Sequence, residues 1–153
     1  MANNTKTKLN GQRGEYLTLA KFAELGYLAS KLDDGSALVD IAVVNPETLD
    51  AVSVQVKTAD GVSKKNPFWM MSKKNERHYA NLWFVLVDLT PTGPEFYVFH
   101  SSVIGPRIAK KHADYISEPM RNGGQRKDSS VRKFFPTPEE LAAAKDAFHQ
   151  MFV

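Results

Sequence analysis

The sequence contains no cysteine, which excludes disulfides, a thiolate nucleophile and cysteine-ligated zinc. It has no long hydrophobic run, since its most apolar stretch, Leu82-Trp-Phe-Val-Leu-Val87, is far too short to cross a bilayer. Internal repeats, low-complexity tracts and any composition break marking a second domain are missing too. Charge of one sign is scarce: 20 Lys and Arg against 17 Asp and Glu leave a net +3. The four histidines, His78, His100, His112 and His149, are scattered without metal-ligand spacing and read as structural. The polar start Met-Ala-Asn-Asn-Thr-Lys-Thr-Lys has no apolar segment of signal-peptide type behind it. The expectation is therefore one cytoplasmic domain over residues 1–153, without a membrane anchor and long enough to bury a substantial core.

What is present reads as α+β. Residues 12–25 predict a helix with Tyr16, Leu19, Ala20 and Ala23 on one face and Gly26 as its stop, while residues 1–10 read as irregular. A short strand at 27–31 and a turn at Asp33-Asp-Gly-Ser36 lead into a hairpin, with strands at about 37–45 and 50–58. Residues 67–71 read as another short strand, and Ser72 as the cap of a helix running to about Asn81. Residues 82–89 and 95–100 read as neighbouring strands across a Pro/Gly turn. Pro106 predicts the opening of a helix to about Ile116, because proline suits a first helical turn. Residues 117–135 read as irregular. Thr137, Pro138 and Glu140 form the signature of a final helix with a capping box.

The hairpin carries the chemistry. Val52-Ser-Val-Gln-Val-Lys-Thr58 and Ala37-Leu-Val-Asp-Ile-Ala-Val43 are apolar runs interrupted by polar side chains where a buried strand would avoid them. Between them lies the turn-forming stretch Asn45-Pro-Glu-Thr-Leu-Asp50. Folding the chain about the Glu47–Thr48 midpoint sets Asp40 opposite Gln55, and Lys57 points to the same face. An acid, an amide oxygen and an ammonium on one patch can hold a hard divalent cation beside a reacting anion. The competing reading is a polar sheet edge with Lys57 exposed. Glu15, spaced i, i+4, i+7 with Leu19 and Phe22, flanks the inward face of the first helix. A carboxylate there needs a partner, which a cation would supply. Taken alone it also suits the helix dipole.

The positive charges are clustered. Lys6, Lys8 and Arg13 lie early; Lys64, Lys65, Lys73, Lys74 and Arg77 follow the third strand; Arg121, Arg126, Lys127, Arg132 and Lys133 lie near the end. Three basic stretches around one acidic patch suit a phosphate backbone. Trp83 and the phenylalanine-rich strands read as core, with Trp69 the one aromatic placed beside the lysines where it could stack on a base.

Glu15 in the first helix, Asp40 in the second strand and Gln55-Val-Lys57 in the third resemble the PD-(D/E)XK, or restriction-endonuclease-like, nuclease superfamily. Their order and spacing are similar to its Holliday-junction-resolvase-like branch, where a glycine-serine turn such as Gly35-Ser36 often precedes the aspartate. The resemblance covers residues 11–60; beyond them it is topological. It implies an αβββαβ core, with an N-terminal helix on a central mixed, mostly antiparallel sheet and further helices flanking it. It implies a metal-dependent endonuclease that hydrolyses DNA, with branched or restriction-type substrates. Mg²⁺ or Mn²⁺ would be held by Asp40, Gln55, Glu15 and the Val56 carbonyl, with Glu15, Asp40, Gln55 and Lys57 as the catalytic set. A homodimer would supply the two sites needed to cut both strands. Val39 stands where the family has proline. Gln55 stands where it usually has a second acid, which removes a negative charge and weakens the hold on Mg²⁺. The alternative is a catalytically eroded module on the same fold that binds nucleic acid or a protein partner without cleaving.

Overall fold

The computed structural model describes residues 2–33, 35 and 38–153. A long helix, α1 (Asn3–Glu24), leads into β1 (Leu28–Lys31), β2 (Ile41–Val44) and β3 (Ala51–Ala59). Next come β4 (Trp69–Ser72), a single 3-10 turn (Lys73–Glu76), β5 (Leu82–Thr90) and β6 (Gly93–His100). The chain closes with α2 (Ser101–Ser117), β7 (Val131–Phe134), α3 (Pro138–Ala144) and a 3-10 turn, Phe148–Phe152. Five strands form the main sheet in the order β1-β2-β3-β5-β6, and β4 pairs with β7 in a separate ribbon. Only β3 and β5 run parallel in the main sheet. The architecture is the expected α+β, mixed and mostly antiparallel.

Each face of the sheet buries its own cluster. On one face Phe22 of α1 packs with Ile41, Val54, Val56 and Val85, and with Phe148 from the C-terminal turn. On the other, Phe84 and Leu86 meet Trp69, Ile104, Ile108 and Phe134. Each such side chain contributes about 1.5–3 kcal/mol by leaving water. Strand alternation assigns Gln55 and Lys57 to this second face, because their register partners on β5 are Phe84 and Leu86. Glycine sets two of the contacts. A methyl at Gly14 would overlap the Thr58 hydroxyl, and one at Gly105 would press on the Glu76 carbonyl, so α1 and α2 approach their neighbours where no side chain intervenes.

Several expectations are corrected. α1 starts at Asn3, so residues 3–10 are helical, and its buried positions are Gly14, Thr18 and Phe22; Tyr16 is exposed. The helix expected after Ser72 is one 3-10 turn, closed by reciprocal bonds between Ser72 and Asn75. No helix of the family core therefore lies in the β3-to-β5 crossover. α2 begins five residues before Pro106, which sits inside it. The first turn is capped instead by the His100 ring, whose Nδ1 accepts from the Ser102 amide at 3.2 Å. Residues 131–134 form β7, a strand within the segment read as irregular. The final capping box stands as read, with the Thr137 hydroxyl accepting from the Glu140 amide at 3.1 Å. Trp69 is buried and donates to the Val87 carbonyl at 3.0 Å, so it is core and not a stacking platform. Asp34, Ser36 and Ala37, on which the turn before Asp40 and the start of the hairpin were placed, lie outside the described residues. Among the described residues no helix is long and apolar enough to cross a membrane.

Candidate active site

The hairpin turn fixes the register. The Asn45 amide donates to the Asp50 carbonyl at 2.9 Å, the Leu49 amide to the Asn45 carbonyl at 2.8 Å, and Leu49 takes a positive φ of 64°. From there Val43 faces Val52 and Ile41 faces Val54. One step further the same register sets Asp40 against Gln55, as the turn midpoint implies.

Asp40 sits where β2 begins, and its backbone is held on both sides. Its amide donates to the Val54 carbonyl at 2.8 Å, and its carbonyl accepts from the Leu32 amide at 2.8 Å. Its Oδ2 accepts two short bonds, from Gln55 Nε2 at 2.7 Å and from the Val56 amide at 2.7 Å. A side chain thus fills the ladder position that the backbone before β2 would otherwise occupy. The Val56 carbonyl leaves β3 on the same side as its amide, by the geometry of an extended strand. It therefore faces the space beside the Asp40 carboxylate. Lys57, two residues on, shares the Gln55 face and is mostly enclosed. Burial lowers the pKa of its ammonium, and the charge of Asp40 opposes that shift without cancelling it.

Glu15 comes from the other layer. α1 packs on the face opposite Gln55 and Lys57, and the Glu15 carboxylate lies 3.3 Å from the Lys31 ammonium at the end of β1. Lys31 pairs through the ladder with Ile41, one residue from Asp40. Sequence reasoning passed over Lys31, although its place at the end of β1, beside the start of the aspartate strand, is the signal that marks it.

Among the described residues no three His, Cys, Asp or Glu gather as a metal cluster. The Gln55 side chain nevertheless leaves its Oε1 buried without a hydrogen-bond partner. An orphaned acceptor of this kind costs about 1–3 kcal/mol, and oxygen is the donor that Mg²⁺ and Mn²⁺ take. Asp40, the Gln55 oxygen and the Val56 carbonyl fit such an ion. The other orphaned oxygen, Thr58 Oγ1, lies beneath Gly14 of α1 and is unsuited to hold a phosphate.

The basic residues divide. Lys64, Lys65, Lys73, Lys74, Arg77, Arg121, Lys127 and Lys133 are exposed. Arg126 is half-buried, its guanidinium 4.2 Å from the Tyr115 ring centre. Arg132 departs from the expectation. It is 4 % exposed, donates to the Ser129 and Val131 carbonyls at 2.7 and 3.0 Å, and pairs with Glu76 at 3.5 Å. Its guanidinium ties β7 to the 3-10 turn and is not available to a phosphate.

No sequence-family model matches the chain, and no curated protein sequence does. Solved structures do match. A bacterial homing endonuclease superposes with a TM-score of 0.54 at 16 % identity, over 95 % of this chain and 91 % of that one. Hjc, a Holliday junction resolvase from Archaeoglobus fulgidus, gives 0.50 at 12 % identity, over 87 % and 88 %. The fold is restriction-endonuclease-like. At these identities the likeness is one of fold, and function has to be argued from the site.

Proposed function

We propose that the chain is a metal-dependent endonuclease that hydrolyses phosphodiester bonds in DNA, with branched or restriction-type DNA as substrate. The observation that carries this reading is the Asp40 carboxylate, bonded at 2.7 Å to both the Gln55 side chain and the Val56 amide, with Lys57 two residues after Gln55 on the same face of β3. Mg²⁺ or Mn²⁺, held by Asp40, the Gln55 oxygen and the Val56 carbonyl, would supply charge neutralisation at the phosphate and a more acidic water. The residues around it prepare the reaction. The two bonds on Oδ2 hold the carboxylate in one orientation. Lys57, whose charged form burial disfavours, can exchange a proton at Nζ or meet charge developing on the phosphate. Glu15, paired with Lys31 one ladder position from Asp40, would act on the site through its charge. Exposed lysines of the loop after β3 and of the 3-10 turn would grip flanking phosphates.

One observation favours a second reading, a non-cleaving nucleic-acid-binding module: the site has no cluster of three acidic or imidazole ligands among the described residues. A cleavage assay on duplex, single-stranded and branched DNA with Mg²⁺ or Mn²⁺ separates the two. The nuclease reading expects metal-dependent products from the unmodified protein and none from Asp40→Ala. Salt-dependent binding without products on any substrate would leave the binding module standing.

A further inference from the structure

Away from Asp40 and Lys57, a cleft of about 350 Å³ opens between α2 and β7. One wall is a single helix face, Ile108, Lys111, His112 and Tyr115, spaced i, i+3, i+4, i+7. The other is the outward side of β7 and the residue after it, Val131, Lys133 and Phe135. In the lining and at its edge, aromatic rings meet cations repeatedly. The Lys111 ammonium lies 4.4 Å from the Phe135 ring centre, Lys133 lies 5.1 Å from Phe68, and the Arg126 guanidinium lies 4.2 Å from Tyr115. Phe68 and Phe135 are themselves 5.3 Å apart. Among the described residues Lys111 and Lys133 form no ion pair, and Tyr115 is 48 % exposed. The acid at the rim, Asp128, is taken up by the His112 ring at 2.7 Å and the Ser129 amide at 2.8 Å.

A purely structural surface gains little from part-exposed rings with lysines over them that no carboxylate neutralises, although Arg126, over Tyr115, does pair with Glu118 at 3.9 Å. Apolar walls with polar rims alone would suit a protein segment, but cations stationed at the rings select a ligand that is flat and anionic at once. Stacking on a ring with a phosphate held alongside is how unpaired nucleotides are bound. The same rings cannot reach base faces inside an intact duplex. We propose that this cleft takes an unpaired nucleotide of a nucleic-acid strand, its base against Tyr115 and Phe135 and its phosphate between Lys111 and Lys133. The assignment deepens the nuclease reading, on which it rests for the polymer. It makes the preferred substrate one with unpaired nucleotides, such as a branch point, a flap or a bubble.

The test is fluorescence anisotropy in EDTA, where cleavage plays no part, with a labelled 12-nucleotide single strand and the matching duplex as probes. The unmodified protein is expected to bind the single strand, and Tyr115→Ala with Lys111→Gln to weaken that binding about tenfold or more. Duplex binding should change less than twofold. Both substitutions are at exposed positions, and circular dichroism checks that the fold survives; Tyr115→Phe, which keeps the ring, should restore most of the binding lost in Tyr115→Ala. An equal loss on duplex and single strand would reduce the cleft to general phosphate grip and overturn the proposal. Unchanged single-strand binding in the double variant would overturn it as well. So would displacement by a deoxynucleoside monophosphate at the oligonucleotide's own concentration, since the ligand would then be a free nucleotide. Failure of the nuclease reading shows separately, in the cleavage assay with metal.

Discussion

Arg132 in the β4–β7 ribbon and Lys57 in the β2–β3 hairpin are both cations withdrawn from water, and the fold treats them in opposite ways. Around Arg132 two backbone carbonyls and the Glu76 carboxylate accept from the guanidinium. Acceptors for its Nε and Nη1 groups offset part of the cost of burying such a cation. Around Lys57 the Asp40 charge is present, yet burial outweighs it and the ammonium is held below its ordinary pKa. The carboxylate that would relieve it already accepts from Gln55 and Val56. One cation holds the fold together. The other is held by the fold in a disfavoured state, the condition in which a group is ready for proton or phosphate chemistry.

Substitutions can break that contrast. Lys57→Met is expected to reduce cleavage on the order of 10³-fold, the scale of a lost acid–base or charge-stabilising group. Its melting temperature should be no lower than that of the unmodified protein, because the buried charge disappears. A large fall in melting temperature without loss of activity would make Lys57 a structural residue like Arg132. Arg132→Met should behave in reverse. Loss of the buried partner is expected to cost about 3 kcal/mol, or roughly 6–12 °C in melting temperature for a chain of this size. Cleavage measured well below the new transition should persist. Calorimetry and a cleavage time course on the two variants read both effects.

The smallest effect sharpens the structural side. Arg107 Nη1 and Nη2 donate to the two Glu140 oxygens at 2.7 Å each, and that pairing holds the Glu140 pKa down to about 2 from its ordinary 4.5. A carboxylate lowered in the folded state stabilises it above its unfolded pKa, and the contribution fades as pH falls from about 4.5 toward 2. Since Arg107 is partly exposed, its substitution by Ala should cost about 1 kcal/mol at neutral pH. It should also flatten the acid limb of a melting-temperature profile between those values. An unaltered limb would mean that other carboxylates set acid stability.

The hairpin and the ribbon were also unequally legible. The register of Asp40 against Gln55 could be read because a turn-forming stretch lay between two apolar runs, and the turn midpoint alone determines which residues face each other. The final helix was legible through its capping box, a purely local signal. β7 was hidden. Its inward residues are Arg132 and Phe134, so a charge occupies a core position and the alternation of a strand is lost to view. Pro106 misled because proline suits a helix start, while the true start is capped by a histidine ring. The first turns of α1 are polar and exposed, leaving no apolar period to mark them. Lys31 beside Glu15, and the rings gathered from residues 68, 115 and 135, depend on tertiary packing that no local pattern carries.

Calorimetric titration of Mg²⁺ or Mn²⁺ into the unmodified protein, Asp40→Ala and Gln55→Glu tests most directly whether the hairpin patch is a cation site. If Asp40 and Gln55 face one ion, Gln55→Glu should bind several-fold more tightly than the unmodified protein, since a second carboxylate replaces a neutral oxygen. Asp40→Ala should show no binding. Equal affinity in all three would mean that the cation does not sit between Asp40 and Gln55, and the hydrolytic reading of this site would fall with it.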